Sequence, residues 1–166
     1  DLGEAAREAF FYDFDRRALF ERFFGNEIAF ERFVFAVMEQ RSGFQPYADR
    51  PDGGRGVMGL SRAYWEEVIE AKTIKLGREA TPATWPYSDC WDVQRSTMVL
   101  AAKFDAELRR QQSERSDLEP SGILHGAIGG LGLELDVEKV MAKILDKRAK
   151  FDRPVTVKGP PWVLHR

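Results

Sequence analysis

The polar residues best placed to do chemistry lie in one stretch of the chain, Ala36 to Tyr64. An apolar helical pattern ends there in the turn sequence RSGFQPYA (41–48). A loop containing Gly53 and Gly54 follows, and then GVMGLS (56–61) opens a second helix. Adjacent glycines let the backbone approach a ligand or another chain segment closely. The stretch therefore predicts a close-approach loop held between two helices.

The cysteine and histidine content indicates no thiol chemistry and no metal site. The chain has one cysteine, Cys90, and two histidines, His125 and His165. A single thiol cannot form an internal disulfide, and no zinc-ligand spacing is present. A nucleophilic cysteine needs a histidine base beside it, and no familiar pattern of that kind surrounds Cys90. We expect Cys90 to be a small buried apolar residue, and we expect neither a metal nor a cofactor.

The order of motifs in the 36–64 stretch resembles the core of the soluble lytic transglycosylases and goose-type lysozymes, which cleave the glycan strands of peptidoglycan. Their pattern is E-S-x-F-x-P-x-A, a Gly-containing loop and G-L-M-Q. The matching segments here are Arg41–Ala48, Asp52–Arg55 and Gly56–Leu60. A further segment, DVQRSTMVLAAKFDAEL (92–108), is similar to a helix that packs centrally in the family fold. The resemblance covers about residues 27–135 and implies a mostly α, lysozyme-like fold for one domain spanning residues 1–166.

One departure from the family pattern falls on the catalytic position. The family's glutamate, which acts first as acid and then as base, is replaced by Arg41, and the nearest acid is Glu39. Arg41 continues the buried stripe of its helix, whereas Glu39 lies roughly 200° around the helix axis. Glu39 can therefore act as the acid only if the helix unwinds early, at Gln40. A guanidinium stays charged and cannot donate in its place, but it can pair with Asp52 or another nearby acid and close the groove.

The resemblance implies a substrate groove between the 36–60 region and the Gly-rich segment near 125–132. Its catalytic candidates are Glu39 and Asp52, the second because goose-type enzymes carry helper acids near the Gly loop. The candidate groove residues are Arg41, Ser42, Tyr47, Met58, Gly59, Tyr64 and His125. Several have simpler interpretations: a loop aspartate is often a turn former, Met58 can be a core residue, and the aromatic residues can lie in the core or at the rim.

Two functions follow from the resemblance. The first is peptidoglycan cleavage by a muramidase or lytic transglycosylase with Glu39 as general acid and base. The second is a non-catalytic descendant, a structural or glycan-binding subunit of a larger cell-envelope, secretion or phage-virion assembly. In that case the Phe-rich N-terminal helix or the C-terminal tail contacts a protein partner. The enzyme requires the Glu39 carboxylate to face the groove, whereas the structural subunit turns it to solvent or to Arg32.

The periodicity of apolar residues predicts the helices that position these side chains. They are expected at 4–24 with a break at Asp13 or Asp15, and at 27–40, 61–75, 88–114 and 136–149. Proline marks 77–87 as a loop, and 109–119 is a charged helix end. The family-like core is then followed by a C-terminal helix and an extended tail (136–166), because Pro160 and Pro161 exclude a helix there.

The composition is that of a globular protein of ordinary polarity. The 166 residues are 43% hydrophobic and 31% charged, and the net charge of −2 does not suggest nucleic acid as a partner. No apolar run approaches the ~20 residues of a transmembrane helix, and no signal peptide is visible. By resemblance, the expected partner is peptidoglycan or a related glycan. The expected location is the bacterial cell envelope or periplasm, the extracellular medium or a virion.

Overall fold

The computed structural model describes residues 1–76 and 78–152, and this part of the chain is mostly helical, as the sequence predicted. Its seven α-helices are α1 (Leu2–Phe10), α2 (Phe14–Phe24), α3 (Glu27–Ser42), α4 (Arg62–Glu70), α5 (Val93–Glu114), α6 (Pro120–Gly129) and α7 (Val137–Leu145). A small antiparallel hairpin, β1 (Lys75–Leu76) and β2 (Arg78–Glu79), and a 3₁₀ helix (Tyr87–Trp91) lie between α4 and α5.

Helices α3 and α5 form the centre of the described structure. Helix α3 packs against α1, α2 and α7, and helix α5 packs against α1, α4 and α6. Phenylalanine rings fill the space where these helices meet: Phe20 stacks on Phe30 with ring centroids 4.8 Å apart, and Phe33 lies 4.5 Å from Phe104. All four rings are fully buried. Each such pair adds about 1 kcal/mol beyond the burial of its area.

Polar caps explain why the N-terminal helical pattern divides. Asp13 adopts an extended backbone and its carboxylate accepts a hydrogen bond from the Arg16 N–H at 2.7 Å, so it ends the run of α1 and begins α2. The break predicted at Asp13 or Asp15 is therefore confirmed at Asp13. Ser61 caps α4 in the same way, through the Tyr64 N–H.

Three helices are shorter in the structure than the sequence predicted. Helix α4 ends at Glu70 rather than residue 75, because Lys72 takes a left-handed backbone (φ 57°) and the chain turns into the hairpin. Helix α5 begins at Val93 rather than 88, since Asp92 is its N-cap and a 3₁₀ turn precedes it. Helix α7 stops at Leu145, not 149. The predicted extended tail, with Pro160, Pro161 and Trp162, lies outside the described residues.

The loop between α3 and α4 is tied into compact turns. Gly43 ends α3 in a left-handed conformation (φ 59°), which favours glycine. Beyond it the Gly56 N–H donates to the Ala48 carbonyl at 2.9 Å, and Arg55 exchanges two backbone hydrogen bonds of 3.0 Å with Leu60. These bonds fold residues 48–60 back over the C-terminal end of α3, and they place the loop beside the candidate site.

Candidate functional site

A pocket of about 150 Å³ lies where the C-terminal end of α3, the 48–60 loop, the start of α4 and residues 132–134 meet. It is lined by Arg41, Asp52, Gly54, Gly59, Ser61, Tyr64, Gly132, Leu133 and Glu134. Four of the residues singled out in the sequence are thus brought together: Arg41, Asp52, Gly59 and Tyr64. The pocket lies between two of the regions from which the sequence predicted a groove, the 36–60 region and the end of the Gly-rich segment at Gly132.

Arg41 dominates the pocket wall, and its side chain is 4% exposed. Its guanidinium donates from Nη2 to the Gly59 carbonyl at 2.5 Å, from Nε to the Met58 carbonyl at 3.3 Å, and from Nη1 to the Glu134 carbonyl at 3.4 Å. Burial, and secondarily the neighbouring Arg50 cation, lower the pKa of Arg41. A guanidinium nevertheless remains charged in proteins. The side chain therefore clamps three carbonyls from two loops onto the end of α3.

Asp52 provides the counter-charge. Its carboxylate lies 3.6 Å from Arg41 Nη2, accepts from the Gly54 N–H at 2.9 Å and accepts from Arg50 Nε at 3.2 Å. The Gly54 hydrogen bond, followed by the Arg50 and Arg41 cations, lowers the pKa of Asp52. A carboxylate held in its ionised form is unsuited to proton donation. Asp52 is thus a turn former that also faces the pocket.

Glu39 does not line the pocket. Its carboxylate accepts a hydrogen bond from the Asp152 N–H at 2.9 Å, so it contacts the segment that follows α7. Arg32, the alternative partner considered for Glu39, instead donates to the Ile144 carbonyl at 3.0 Å. The reason is helical geometry: α3 continues to Ser42 without unwinding at Gln40, which leaves Glu39 on a face away from Arg41.

Tyr64 places an unusual polar group in the pocket wall. Its hydroxyl is buried and has no hydrogen-bond partner among the described residues. Burial, with a smaller contribution from the Glu107 carboxylate, raises the pKa of Tyr64. The phenol therefore stays protonated at all ordinary pH values, and it can donate a hydrogen bond but cannot act as a base near neutral pH.

The 48–60 loop folds onto itself backbone to backbone beside Arg41. A Cβ added at Gly54 would lie 2.3 Å from the Gly59 carbonyl oxygen, and Gly59 itself has a φ of 60°. Only glycine at both positions permits this approach. The contact brings the Gly59 carbonyl to the Arg41 guanidinium. The glycines therefore allow this hydrogen bond to form and do not make an open loop for a ligand.

Ser42 and Met58 support the site from behind. The Ser42 Oγ lies 2.6 Å from the Val57 carbonyl oxygen and 3.0 Å from the Met38 carbonyl oxygen. The Met58 side chain is fully buried in the core, and only its carbonyl reaches Arg41. Both residues hold the 57–59 backbone in position, and neither lines the pocket.

Tyr47 and His125 lie outside the pocket lining. The Tyr47 ring packs 6.1 Å from the Trp91 ring. His125 is on α6, where its Nε2 lies 2.7 Å from the Glu138 carboxylate of α7. His125 is thus a hydrogen-bonded helix residue, and α6 carries it toward α7.

Sequence reasoning missed Arg50 and Glu134. Arg50 donates from Nη1 to the Arg41 carbonyl at 2.9 Å, and the Glu134 backbone accepts from Arg41. The alternation of Arg50 and Arg55 with Asp49 and Asp52 was a usable signal of an ionic loop. Nothing in the sequence marked the carbonyl of Glu134, 93 residues from Arg41.

The pocket has few means of chemical action. Within the described ranges, no group of three or more His, Cys, Asp or Glu side chains could hold a metal ion, and no helix is long and apolar enough to cross a membrane. The pocket offers one ionised aspartate, one exposed glutamate, one protonated phenol and one clamped guanidinium. This set can bind polar groups and stabilise loops.

Comparison with known proteins returned no matching family model, no similar curated protein and no similar solved structure.

Proposed function

We propose that this chain is a non-catalytic, lysozyme-like domain that serves as a structural subunit of a larger cell-envelope, secretion or virion assembly. One observation carries the proposal. The position that matches the catalytic glutamate of the family is occupied by Arg41, which is buried and bonded to three backbone carbonyls. A side chain used in this way supports the fold and does not act on a substrate.

Glycosidic cleavage needs a carboxyl group that is protonated near neutral pH, and an apolar environment is what raises its pKa. Two carboxylates line the pocket, Asp52 and Glu134. The pKa of Asp52 is lowered, and the Glu134 side chain is 86% exposed to water. Neither environment favours a general acid. The buried cation of Arg41 also disfavours a transition state that resembles an oxocarbenium ion, because like charges repel.

The size of the pocket favours a structural role over glycan binding. Ligand pockets usually enclose ~300–1,000 Å³, whereas the Arg41 pocket encloses about 150 Å³. A sugar chain would have to displace the 48–60 loop from the guanidinium to enter. We therefore propose that Arg41, by holding the 48–60 loop, closes the groove to glycan.

Peptidoglycan digestion with mass-spectrometric analysis of the products tests the proposal. The chain is compared with Glu39→Gln and Arg41→Glu. We expect no soluble muropeptides from the parent chain or from Glu39→Gln. Release of anhydro or reducing muropeptides by the parent, abolished in Glu39→Gln, would overturn the proposal and establish an enzyme with a shifted acid.

The Arg41→Glu variant tests the lysozyme-like alignment separately. A gain of cleavage in this variant, with a silent parent, would show that position 41 faces a retained glycan site. A silent but folded Arg41→Glu variant would remove the support for glycan chemistry at this position and leave the structural role.

A further inference from the structure

The corner between α1 and α2 exposes two aromatic rings. Phe11 is 44% exposed and Phe14 is 83% exposed. The other phenylalanines near them, Phe10, Phe20 and Phe24, are buried in the core. Exposed large apolar side chains that lie together often mark a protein contact. We name Phe11, Phe14 and the hollows on either side of them the corner surface.

The hollow on the Phe11 side carries an excess of negative charge. It encloses about 540 Å³ and its lining has the carboxylates of Glu8 and Asp92 and one cation, Arg95. Arg95 is already engaged by the Asp89 carboxylate at 2.6 Å. Among the described residues, neither Glu8 nor Asp92 forms an ion pair: Glu8 accepts from the Gln94 amide, and Asp92 accepts from the Arg95 N–H. This hollow can accept a cation.

The hollow on the Phe14 side carries an excess of positive charge. It encloses about 510 Å³, and its lining holds four cations and three carboxylates. Two of the cations, Arg16 and Arg109, bind Asp105 at 2.8 and 2.5 Å.

The lysines of this second hollow are its free cations. Within the described part of the chain, Lys72 and Lys75 have no carboxylate within ion-pair distance. Of the two remaining carboxylates, Asp13 caps α2. Asp15 forms no ion pair with any residue that the structure describes. The Lys75 N–H donates to the Tyr12 hydroxyl, which fixes this lysine beside the corner.

We infer that the corner surface binds a second copy of this chain. The acidic hollow is lined by Phe11 and Tyr12 and the basic hollow by Asp13 and Phe14, so both adjoin the same corner. In a two-fold dimer every contact occurs twice, so the acidic hollow of one copy can face the basic hollow of the other. The phenylalanines then lie at the centre, where water is excluded, and the charges lie at the rim. The inference rests on the proposed structural role, for which it names the partner.

Sedimentation equilibrium of the full chain over a wide concentration range tests this inference. We expect a dimer that dissociates on dilution and is weakened by added salt, because exposed charges are screened. Phe14→Asp is expected to give a monomer. Leu145→Asp is the matched control: Leu145 is 72% exposed at the end of α7, and its change should leave the dimer intact.

Charge reversal tests the pairing of the two hollows. Glu8→Lys alone and Lys72→Glu with Lys75→Glu should each weaken self-association, since each change places like charges where the two hollows face each other. Mixing the two variants should restore a dimer, because the lysines of one then face the acids of the other at both contacts. Circular dichroism of each variant shows whether it is folded.

A parent chain that stays monomeric at every concentration would overturn the inference. So would a dimer that persists in both Phe14→Asp and Glu8→Lys, or variants that fail to pair when mixed. Binding of a different protein to a monomeric parent at this surface would also overturn it. None of these outcomes depends on muropeptide release, so the inference and the proposed function fail separately.

Discussion

At the scale of single residues, Arg41 is the side chain that holds the pocket together. Its guanidinium is taken out of water and is stabilised by three carbonyls and by the Asp52 carboxylate. Hydrogen bonds to a charged group each contribute about 1.5–3 kcal/mol, and a buried acceptor left without a donor is costly. The side chain therefore holds two loops to α3, and its loss should lower the free energy of unfolding.

Replacing Arg41 with Met should lower the free energy of unfolding by about 3 kcal/mol, because three carbonyls and Asp52 lose their donor. Arg41→Lys should recover only part of this loss, since an ammonium lacks the planar fork of donors. Chemical denaturation measures both. Arg62→Met is the control: the Arg62 side chain is 69% exposed in a surface pair with Glu66, and its loss should cost under about 0.5 kcal/mol. Equal losses of unfolding free energy in Arg41→Met and Arg62→Met would contradict the stabilising role of Arg41.

Asp52 makes the free energy of unfolding depend on pH, in a direction that its pKa fixes. Its folded pKa is lowered, chiefly by the Gly54 N–H, so its stabilising contribution is complete above the ordinary aspartate value of ~3.9 and is lost as pH falls through the folded value. The stability difference between the parent chain and Asp52→Asn should thus be constant near neutrality and shrink in acid. It should be small, because the side chain is 42% exposed. Unfolding curves recorded against pH measure it, and a difference that grows in acid would contradict this assignment.

At the scale of elements, the core between α3 and α5 holds the fold together, and α3 supplies Arg41 to the pocket. Phe33 of α3 lies against Phe104 of α5, and both rings are fully buried. Truncating Phe104 to Ala should cost about 3–5 kcal/mol through lost burial and the cavity left behind. Phe14→Ala should cost little, because that ring is 83% exposed. Thermal or chemical unfolding of the two variants tests this, and a large effect at Phe14 with a small one at Phe104 would show that the core is elsewhere.

Short-range signals explain which elements the sequence could predict. Helix α3 follows from its apolar spacing, and the starts of α2 and α4 follow from Asp13 and Ser61, which bond to N–H groups three residues ahead. The hairpin after α4 was not predicted, because the left-handed backbone at Lys72 is set by its surroundings. Lysine has no intrinsic preference for that conformation.

The candidate site was predictable only in part, for a related reason. The burial of Arg41 follows from its place on the apolar stripe of α3, and the absence of Glu39 from the pocket lining follows from the same helical period. The partners of Arg41 did not follow. They are carbonyls, which every residue carries, and that of Glu134 is contributed from a distant part of the chain. Side-chain patterns cannot reveal contacts made by backbone groups.

The molecule as a whole combines a small pocket beside Arg41 with an exposed corner between α1 and α2. The pocket encloses about 150 Å³, while the hollows beside Phe11 and Phe14 are each more than three times larger. These two hollows border exposed phenylalanines and carry charges that form no ion pair among the described residues. This distribution favours a protein that contacts other proteins.

Digestion of purified peptidoglycan by the parent chain, followed by mass spectrometry of the soluble fraction, tests directly whether this domain is non-catalytic. An active lysozyme is the positive control. We expect no muropeptides above the level of a buffer control at any pH between mildly acidic and neutral, because neither Asp52, whose pKa is lowered, nor the exposed Glu134 lies in the apolar environment that a general acid needs. Muropeptides that accumulate with time and with protein concentration would contradict it.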